Sequence, residues 1–498
     1  MKNTTTALTY HDRTKHRPSR YAASLGFMDW ATQPDPFRRY PQTHKIELFH
    51  GDTTPPYHLL FGSEPLPKAP QCLESISMLL RYSLGLAAIK RHGRSEWALR
   101  CNASSGNLHP TECYLIAPPM DGISCQPTLS HYASDIHALE VLHTYDAPVI
   151  ANGFLLVLSS AIWREMWKYG ERCWRYCQLD AGHAYGAIKT AATMLGWECS
   201  IVSTDTNEIG RWSGLNQRER FHKDERESPD LMIRIEHPTF NLPEAPSLPS
   251  ANVLSPSHHH WPIVYEIDEA SQGLYPSVQT LVVQRHTPPP SKTTGEIILK
   301  RRSAQMMDRS GITQEHFRQM LDASLFCREA PNINFIIFVH RVEGMEKGLY
   351  AYLRNPDELI HLRKSLDSAF LWEGCFEGLY LLKSGDFRGA AQYISCNQEI
   401  ASDGAFSFGM LCNFSSTLEQ YGAVGYKNLY HQCGMIGQLL YLEATSLGLS
   451  ATGIGCFLDD EFHALLGIRD QRYQSLYHFT IGRAIIDARL TTLQPYTL

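Results

Sequence analysis

Segment 103–112 has the residue types of a ligand-binding loop. It reads ASSGNLHPTE and contains Ser104, Ser105, Gly106 and Asn107. Two hydroxyls and an amide offer several hydrogen-bonding groups, and a glycine lets the backbone approach a flat ligand closely. An ordinary turn is the alternative interpretation. The corresponding place in the C-terminal half, 328–334, has neither the serines nor the glycine.

Basic residues form a second group of candidates, in the C-terminal half. Lys300, Arg301, Arg302 and Ser303 precede a segment, 304–321, that has the pattern of a helix. Because helix N-termini bind anions and arginine binds phosphate oxygens with two donors, the run predicts a phosphate site. A solvated basic turn is the alternative.

Two further segments of the same half could face a ligand. The glycine-rich stretch 451–460 contains Gly453, Ile454 and Gly455, whereas the N-terminal half has Ile201, Val202 and Ser203 in that place. Thr480–Arg483 ends a predicted strand and presents another cation, Arg483.

Lys168 and Tyr169 are the candidates for acid–base chemistry. A buried lysine can have a lowered pKa and act as a base. The alternative is a solvated helix residue, and the sequence does not decide between the two. His109 and His183 could also face a site, although a single histidine is more often part of a core. Asp459 and Asp460 are expected to cap a helix that begins near Glu461.

A duplication places these residues on two similar scaffolds. Tyr169-Gly170 and Leu195-Gly196 recur as Tyr421-Gly422 and Leu447-Gly448, each pair separated by 252 positions (421 − 169 and 448 − 196). A period this long indicates a duplicated domain rather than a solenoid, whose repeats span about 20–50 residues. We expect domains at 1–236 and 295–498, joined by a Pro-rich connecting segment at 237–294 that includes a short strand at 262–267 and a second breaker at 287–291.

The periodicity predicts which elements carry the candidates. Stretches 181–195 and 433–447 have the apolar spacing of buried helices, and 155–158 and 335–339 that of buried strands. Strands and helices without a regular βαβ alternation indicate an α+β fold. The C-terminal half has an additional segment at about 381–401, in which Asn397 and Gln398 could reach a ligand.

Composition excludes several function classes. The 498 residues carry a net charge of −6 with a pI near 6.4, so nucleic acid is not an expected partner. No apolar run reaches the roughly 18 residues that a membrane span needs, and the N-terminus lacks a secretory apolar region. The 13 scattered cysteines favour reduced thiols and a cytoplasmic location. The run His258–His260 lies in the connecting segment, and no metal site is expected there.

The motifs taken together resemble the SagB-type dehydrogenases of the nitroreductase superfamily. The resemblance covers both repeats, nearly the whole chain apart from the connecting segment. It rests on SSGNLHPTE, His131-Tyr132, HALE at 137–140, Lys168-Tyr-Gly170 with Gly182-His183, GLY at 348–350, and GIGCFLDD at 453–460. It implies an FMN-binding α+β fold with antiparallel sheets flanked by helices. Members of the family dimerise and hold flavin between two subunits, so the tandem repeats would form an intramolecular pseudo-dimer, either alone or dimerised further.

The resemblance also implies an asymmetric site. The C-terminal repeat would supply Arg301, Arg302, Ser303, Gln305, Gly453, Ile454, Gly455 and Arg483, and the N-terminal repeat Ser104, Ser105, Gly106 and Asn107. The reciprocal set would need Arg17, Ser19 and Arg20 with 331–332 and 201–203, where the serine loop and the glycine turn are both missing. We therefore expect one FMN per chain. Gln305 replaces a cation usual in the family, which should lower the flavin potential.

The implied function is FMN-dependent two-electron chemistry at flavin N5. Relatives that oxidise azolines have a Lys-Tyr pair associated with proton removal, which matches Lys168 and Tyr169. Dehydrogenation of a small or peptide-derived substrate, with O2 as co-substrate, is the first hypothesis. Reduction of a nitro, quinone or enone compound by NAD(P)H is the second. A non-catalytic flavin-binding protein is the third.

Overall fold

The computed structural model describes residues 2–62, 64–277 and 292–496, which divide into two compact units. The N-half unit contains the described residues of 23–277, 292–299 and 489–496. The C-half unit contains residues 2–22 and 300–488. This division differs from the predicted domains 1–236 and 295–498 at both chain ends and at 295–299, and it groups 237–277 and 292–294 of the predicted connecting segment with the N-half unit. The predicted breaker at 287–291 lies outside the described residues.

Seventeen strands form the sheets of the described chain. They are β1 (His44–Glu47), β2 (Leu86–His92), β3 (Ser95–Arg100), β4 (Thr111–Ala117), β5 (Thr128–Ala133), β6 (Ala138–Thr144), β7 (Ile150–Ala161), β8 (Cys199–Ile201), β9 (Glu227–Phe240), β10 (Ile333–Val339), β11 (Gly348–Tyr352), β12 (Glu373–Phe376), β13 (Leu379–Ser384), β14 (Phe406–Asn413), β15 (Ser450–Ile454), β16 (Tyr473–Gly482) and β17 (Thr491–Leu493).

Each unit has a seven-stranded sheet, and all the strand pairs in both sheets are antiparallel. The order is β1-β6-β5-β4-β7-β9-β8 in the N-half unit and β12-β13-β11-β10-β14-β16-β15 in the C-half unit. Six strands therefore follow the same path in both sheets. Only the edge strand has a different origin, because β1 precedes its sheet in the chain whereas β12 comes from within it. The duplication extends to topology, and the predicted α+β fold with helix-flanked antiparallel sheets is confirmed.

Thirteen α-helices accompany the sheets in the described residues. They are α1 (Lys2–Arg13), α2 (Leu73–Arg81), α3 (Ile162–Tyr169), α4 (Cys173–Met194), α5 (Thr206–Ser213), α6 (Pro262–Ala270), α7 (Thr294–Lys300), α8 (Gln314–Ser324), α9 (Leu359–Ser365), α10 (Arg388–Ile394), α11 (Ile400–Asp403), α12 (Phe414–Ser446) and α13 (Asp459–Leu465). The predicted helices 181–195 and 433–447 lie in α4 and α12, and the predicted strands 155–158 and 335–339 lie in β7 and β10.

The repeated Tyr-Gly pair marks a break in the main helix of each unit. Gly170 separates α3 from α4 with a φ of +54°, and Gly422 interrupts α12 with a φ of +60°. Residues that carry a side chain rarely adopt a backbone conformation with positive φ, so glycine is favoured at both positions. At Gly170 an added Cβ would also lie 2.2 Å from the carbonyl oxygen of Ala23. The scaffold repeat thus preserves a backbone conformation.

Helix α1 belongs to the C-half unit because its buried face packs there. His11 Nδ1 lies 3.1 Å from the Tyr426 hydroxyl, and His11 Nε2 lies 3.1 Å from Gln474 Oε1. The His11 ring also contacts Phe414, with centroids 4.6 Å apart. These contacts explain why residues 2–22 do not group with 23–236.

The C-terminal residues belong to the N-half unit in the same way. Strand β17 pairs with β2, extending a three-stranded sheet with β3. The Tyr496 hydroxyl donates to the Ser134 carbonyl at 2.7 Å and accepts from the Leu86 amide at 2.7 Å. Residues 2–22 thus group with the C-half unit and residues 489–496 with the N-half unit, the reverse of the predicted domain assignment.

Three local predictions differ from the structure. Segment 262–267 forms helix α6 rather than a strand, because Pro262 suits the first helical turn and Ile263, Val264 and Ile267 share a buried face. The predicted helix 304–321 begins only at Gln314, where the Thr313 hydroxyl caps it. The connecting segment predicted at 237–294 starts inside β9, which continues to Phe240.

Candidate functional site

The loop Ser104–Asn107 is anchored from below by a buried carboxylate. The Ser105 amide nitrogen donates to Asp180 of α4 and lies 3.0 Å from each carboxylate oxygen. The Ser105 hydroxyl donates to Asp180 Oδ1 at 2.8 Å. The Ser104 hydroxyl accepts the His109 amide at 2.8 Å. Gly106 and Asn107 both have positive φ, +57° and +59°. The two serines therefore hold the loop in shape as well as supplying hydroxyls.

Lys168 and Tyr169 lie directly against this loop. A Cβ added to Gly106 would lie 2.6 Å from the Tyr169 hydroxyl oxygen and 3.1 Å from Lys168 Nζ. Both side chains are half-buried at the C-terminus of α3. The Lys168 ammonium also lies 5.3 Å from the centroid of the Tyr169 ring. The structure thus brings together the predicted acid–base pair and the predicted loop, a proximity that the sequence did not reveal.

Two buried carboxyls, Asp180 and Glu165, accompany this group, and the sequence analysis missed both. Burial raises the pKa of Asp180 to about 7, and hydrogen bonds from Ser104 and Ser105 oppose the rise. Burial also raises the pKa of Glu165 well above its usual range; nearby Asp180 adds to the rise, and Lys168 opposes it. Both residues have essentially no exposed surface. The signal was available in the duplication, because the positions 252 residues later are Thr417 and Gln432.

His109 supports the loop from its interior side. Its Nε2 lies 3.3 Å from the Ala98 carbonyl, and its own carbonyl accepts from Arg164 at 2.7 Å. Burial holds the pKa of His109 well below its usual range, and neighbouring Arg100 adds to this effect. His109 is therefore a neutral core residue. His183 is likewise buried, within α4.

In the C-half unit, Tyr441 of α12 links the basic segment to the glycine turn. Its hydroxyl lies 2.9 Å from the Ser303 hydroxyl and accepts the Gly453 amide at 2.8 Å. Arg301 is buried, with its guanidinium carbon 5.2 Å from the centroid of the Tyr441 ring. The sequence analysis missed Tyr441, although the corresponding residue of the first repeat, Lys189, already differs from it.

The glycine turn is closely packed in the same unit. A Cβ at Gly453 would lie 1.8 Å from the Tyr477 hydroxyl, so no other residue fits there without rearrangement. Ile454 is buried and pairs with His478 across β15 and β16. Gly455 follows at the end of β15 and is half-buried. Close packing explains why this turn is rich in glycine.

Segment 301–308 runs alongside the turn and reaches Arg483. The Ala304 amide donates to the Ala451 carbonyl at 3.1 Å, and the Asp308 amide donates to the Arg483 carbonyl at 2.9 Å. Arg302 is half-buried and donates to the Arg301 carbonyl at 2.6 Å. The predicted basic, hydroxyl and glycine residues of this half therefore share one region, but not at a helix N-terminus as the sequence suggested, since α7 ends at Lys300 and α8 begins at Gln314.

The additional segment of the C-terminal half contacts this turn. Gln398 Nε2 donates to the Cys456 carbonyl at 3.0 Å and to the Ser395 carbonyl at 2.8 Å. Asn397 has a positive φ of +61°. Gln305, Asn397 and Gln398 are exposed, so their side chains are open to solvent or a ligand.

One basic residue of the reciprocal set, Arg17, is paired with acidic residues. Arg17 Nε donates to Asp460 at 2.9 Å, and Lys15 donates to the same carboxylate at 2.7 Å. Asp459 accepts the His16 amide at 3.0 Å. Helix α13 begins at Asp459, and neither aspartate caps it, because the cap position is Leu458. The capping prediction for Asp459 and Asp460 is therefore wrong: these carboxylates bind the N-terminal segment.

Residues of the family-like motifs around 112–140 form a buried polar network. His131 Nδ1 lies 3.0 Å from Glu140 Oε2, and its Nε2 lies 3.2 Å from Glu112 Oε2. Glu112 also accepts from Arg164. Burial opposes protonation of His131, but its hydrogen bonds to Glu112 and Glu140 outweigh burial and raise its pKa to about 9. This part of the motif stabilises the sheet rather than supplying reactive groups.

One group of possible metal ligands occurs among the described residues. His222, Glu225 and His258 have ligand atoms within 4.8 Å of one another. The two imidazole rings are stacked at 4.5 Å with an interplanar angle of 17°. Glu225 already accepts the Leu254 amide at 2.7 Å and the Ser255 amide at 2.8 Å. The cluster therefore fastens the connecting segment to its unit.

This chain is similar to proteins named as nitroreductases. The Nitroreductase family model matches residues 298–483. Two proteins named as putative nitroreductases are similar to this chain. That of Methanocaldococcus jannaschii is 22% identical over 202 residues, which cover 38% of this chain and 90% of that protein. The crystal structure from Anabaena variabilis ATCC 29413 covers 96% of this chain and 99% of that chain at 21% identity with a TM-score of 0.73, which establishes a shared fold.

Within 2–62, 64–277 and 292–496, no helix is both long and apolar enough to span a lipid bilayer. All thirteen cysteines are reduced, and none forms a disulfide. The matched C-terminal half carries the Arg301–Ser303 segment, the glycine turn and Arg483. Residues 298–483 therefore match the Nitroreductase family, and the similarities together indicate an oxidoreductase of a kind that typically binds FMN.

Proposed function

We propose that the chain binds one FMN and uses it for two-electron chemistry on a small or peptide-derived substrate. Arg301, Arg302 and Ser303 would bind the phosphate, because guanidinium and hydroxyl groups match its oxygens. Gly453, Ile454, Gly455, Gln305 and Arg483 would contact the rest of the cofactor, together with Ser104, Ser105, Gly106 and Asn107. Bound FMN would supply a two-electron acceptor or donor at N5.

The donor chemistry of the C-half unit fits such a ligand. The Tyr441 hydroxyl joins Ser303 to Gly453, so a hydroxyl from the basic segment and the glycine turn are fixed relative to each other. Buried Arg301 adds positive charge close to Tyr441. A preformed region with these groups lowers the ordering cost of binding a phosphorylated ligand.

A SagB-type dehydrogenase or oxidase is the first form of the proposal. The observation that carries it is the position of Lys168 Nζ and the Tyr169 hydroxyl against Gly106. Dehydrogenation needs a proton acceptor beside the substrate, and a lysine held there can serve as a general base. Tyr169 would position or assist Lys168. Molecular oxygen would be the co-substrate.

An NAD(P)H-dependent reductase of nitro, quinone or enone compounds is the second form. The match of residues 298–483 to the Nitroreductase family favours it. A non-catalytic flavin-binding protein remains the third hypothesis. The reduced thiols favour a reducing compartment, and we propose a cytoplasmic location.

Anaerobic stopped-flow spectroscopy of the FMN-loaded chain separates these forms. The dehydrogenase predicts slow bleaching of the flavin band by NADH and NADPH, and, in a separate aerobic assay, oxygen consumption with a donor substrate. Fast bleaching by either nicotinamide would support the reductase instead. A chain that takes up no FMN would overturn all of the flavin proposals.

A further inference from the structure

The buried carboxyl of Asp180 holds the Ser104–Asn107 loop, and a second buried carboxyl, Glu165 of α3, interacts electrostatically with Asp180. The chemistry described so far uses neither. Asp180 accepts both the amide and the hydroxyl of Ser105. Glu165 is fully buried, and neither carboxyl oxygen has a hydrogen-bond partner among the described residues. A buried ionised carboxylate without partners is costly, so Glu165 is retained in its neutral form.

We propose that Glu165 and Asp180 form a pair of carboxyl groups that holds one proton. The charge of the pair determines how strongly the Ser104–Asn107 loop is bound, and the loop in turn positions Lys168 and Tyr169. Glu165 carries the proton, and Asp180 carries the negative charge. The inference rests on the proposed function only for its catalytic consequence. The acid pair itself is a property of the N-half unit.

The hydrogen bonds of Ser105 explain how charge controls the loop. An ionised Asp180 accepts from the amide and hydroxyl of Ser105 through charge-assisted bonds, which are roughly twice as strong as neutral ones. A protonated Asp180 gives up part of its acceptor capacity and becomes a donor itself. Gly106 follows Ser105 and lies against both Lys168 and Tyr169. Weaker hydrogen bonds to Ser105 therefore let Gly106 shift relative to these two side chains.

The charged and titratable groups around the pair support this division of roles. Burial is the main cause that raises both pKa values, and the pKa of Asp180 reaches about 7. The groups that face the pair are Lys168 on α3, Cys173 and Cys177 on α4, and Arg100 on β3. Burial raises the pKa of both thiols well above the ordinary value, so they remain neutral.

Only one copy of the duplicated scaffold has the pair. Glu165, Lys168 and Asp180 correspond to Thr417, Gln420 and Gln432 at the 252-residue offset. The three ionisable groups are therefore present together in the N-terminal repeat and replaced together in the C-terminal one. A purely structural role would not explain why the acids accompany the lysine and the serine loop.

Infrared spectroscopy of the full-length chain tests the pair directly. We expect a carbonyl band of a protonated carboxyl at neutral pH that is lost in Glu165→Gln and retained in Asp180→Asn. A second band should titrate near pH 7 in the wild type. Thr190→Val, which removes another buried hydrogen-bonding group of α4, is the matched control and should leave both bands unchanged. Absence of both bands in the wild type would overturn the proposal. This outcome is read from the wild type alone, so it holds even if a variant fails to fold.

The pH dependence of turnover by the FMN-loaded chain tests the consequence. Glu165 is neutral in the proposed pair, so Glu165→Gln should leave the acidic limb of kcat close to its wild-type pH. Asp180→Asn removes the group that titrates and should lose that limb. Identical profiles in all variants would contradict the positioning role. If the chain takes up no FMN, the proposed function fails, while the infrared bands still decide whether the pair exists.

Discussion

The Tyr441 hydroxyl lies 2.8 Å from the Gly453 amide nitrogen and accepts its hydrogen. The same oxygen is 2.9 Å from the Ser303 hydroxyl. One phenol therefore ties the glycine turn to the basic segment, two regions separated by about 150 positions in the chain. Neither contact was predicted, because each depends on how α12 lies against β15.

Tyr441→Phe should weaken FMN binding. The variant removes two hydrogen bonds, each worth about 1 kcal/mol, so we expect the Kd for FMN to rise about tenfold or more. Fluorescence titration of the apoprotein measures the change. Tyr430→Phe is the control: it removes a hydroxyl from the same helix, one that bonds to Tyr426 at 3.0 Å. An unchanged Kd in Tyr441→Phe would show that the link does not shape the binding region.

Gly106→Ala should disturb the Lys168–Tyr169 pair more than the fold. The added Cβ would lie 2.6 Å from the Tyr169 hydroxyl, and the positive φ costs about 1–2 kcal/mol. Gly93→Ala is a matched control, because Gly93 has a φ of +59° but no atom within 4 Å of an added Cβ. Both variants should lose similar unfolding free energy. A similar turnover rate in the two would contradict the assigned role of the contact.

Lys168→Met should lower turnover without lowering FMN content. The change removes the proposed base but keeps an unbranched side chain of nearly the same length, so we expect kcat to fall about 100-fold or more. Rapid-quench or stopped-flow measurement of flavin reduction by the donor substrate reports the effect. Lys189→Met, in α4, is the control and should stay close to wild type. Equal rates for Lys168→Met and the wild type would remove Lys168 from the proposed chemistry.

His131 should make stability depend on pH. Its pKa is about 9 in the folded chain against about 6.5 when unfolded, so the protonated form stabilises the fold. This contribution is complete below about pH 6.5 and is lost as the pH rises through about 9. Urea unfolding should therefore show a decline in free energy over this interval. In His131→Gln the decline should be smaller, whereas the exposed control His44→Gln should retain it.

The duplication explains which features the sequence could predict. Tyr169-Gly170 and Tyr421-Gly422 repeat because the backbone needs a left-handed glycine, and local sequence records such a requirement. The two main helices at 181–195 and 433–447, the central strands at 155–158 and 335–339, and the α+β class followed from periodicity, whereas the predictions for 304–321 and 262–267 did not hold. Lys168 was identified as a candidate, but its contact with Gly106 was not, since α3 and the loop lie far apart in the chain.

The exchanged chain ends could not be predicted from local pattern. An amphipathic helix such as α1 shows that it has a buried face, but not which of two similar units that face contacts. Contacts of His11 with Phe414 and Tyr426 decide the matter in the folded chain. Differences between the repeats were more informative than expected, because Tyr441, Asp180 and Glu165 all fall at positions where the two copies differ.

The flavin-to-chain ratio tests the central claim most directly. Saturated full-length protein should contain one FMN per chain, measured by absorbance of released flavin against amino-acid analysis. Two double variants should each reduce the ratio toward zero, because both sets of residues are assigned to one site. The first combines Arg301→Ala with Ser303→Ala, and the second combines Ser105→Ala with Asn107→Ala. A ratio near two, or full occupancy retained in either double variant, would contradict it.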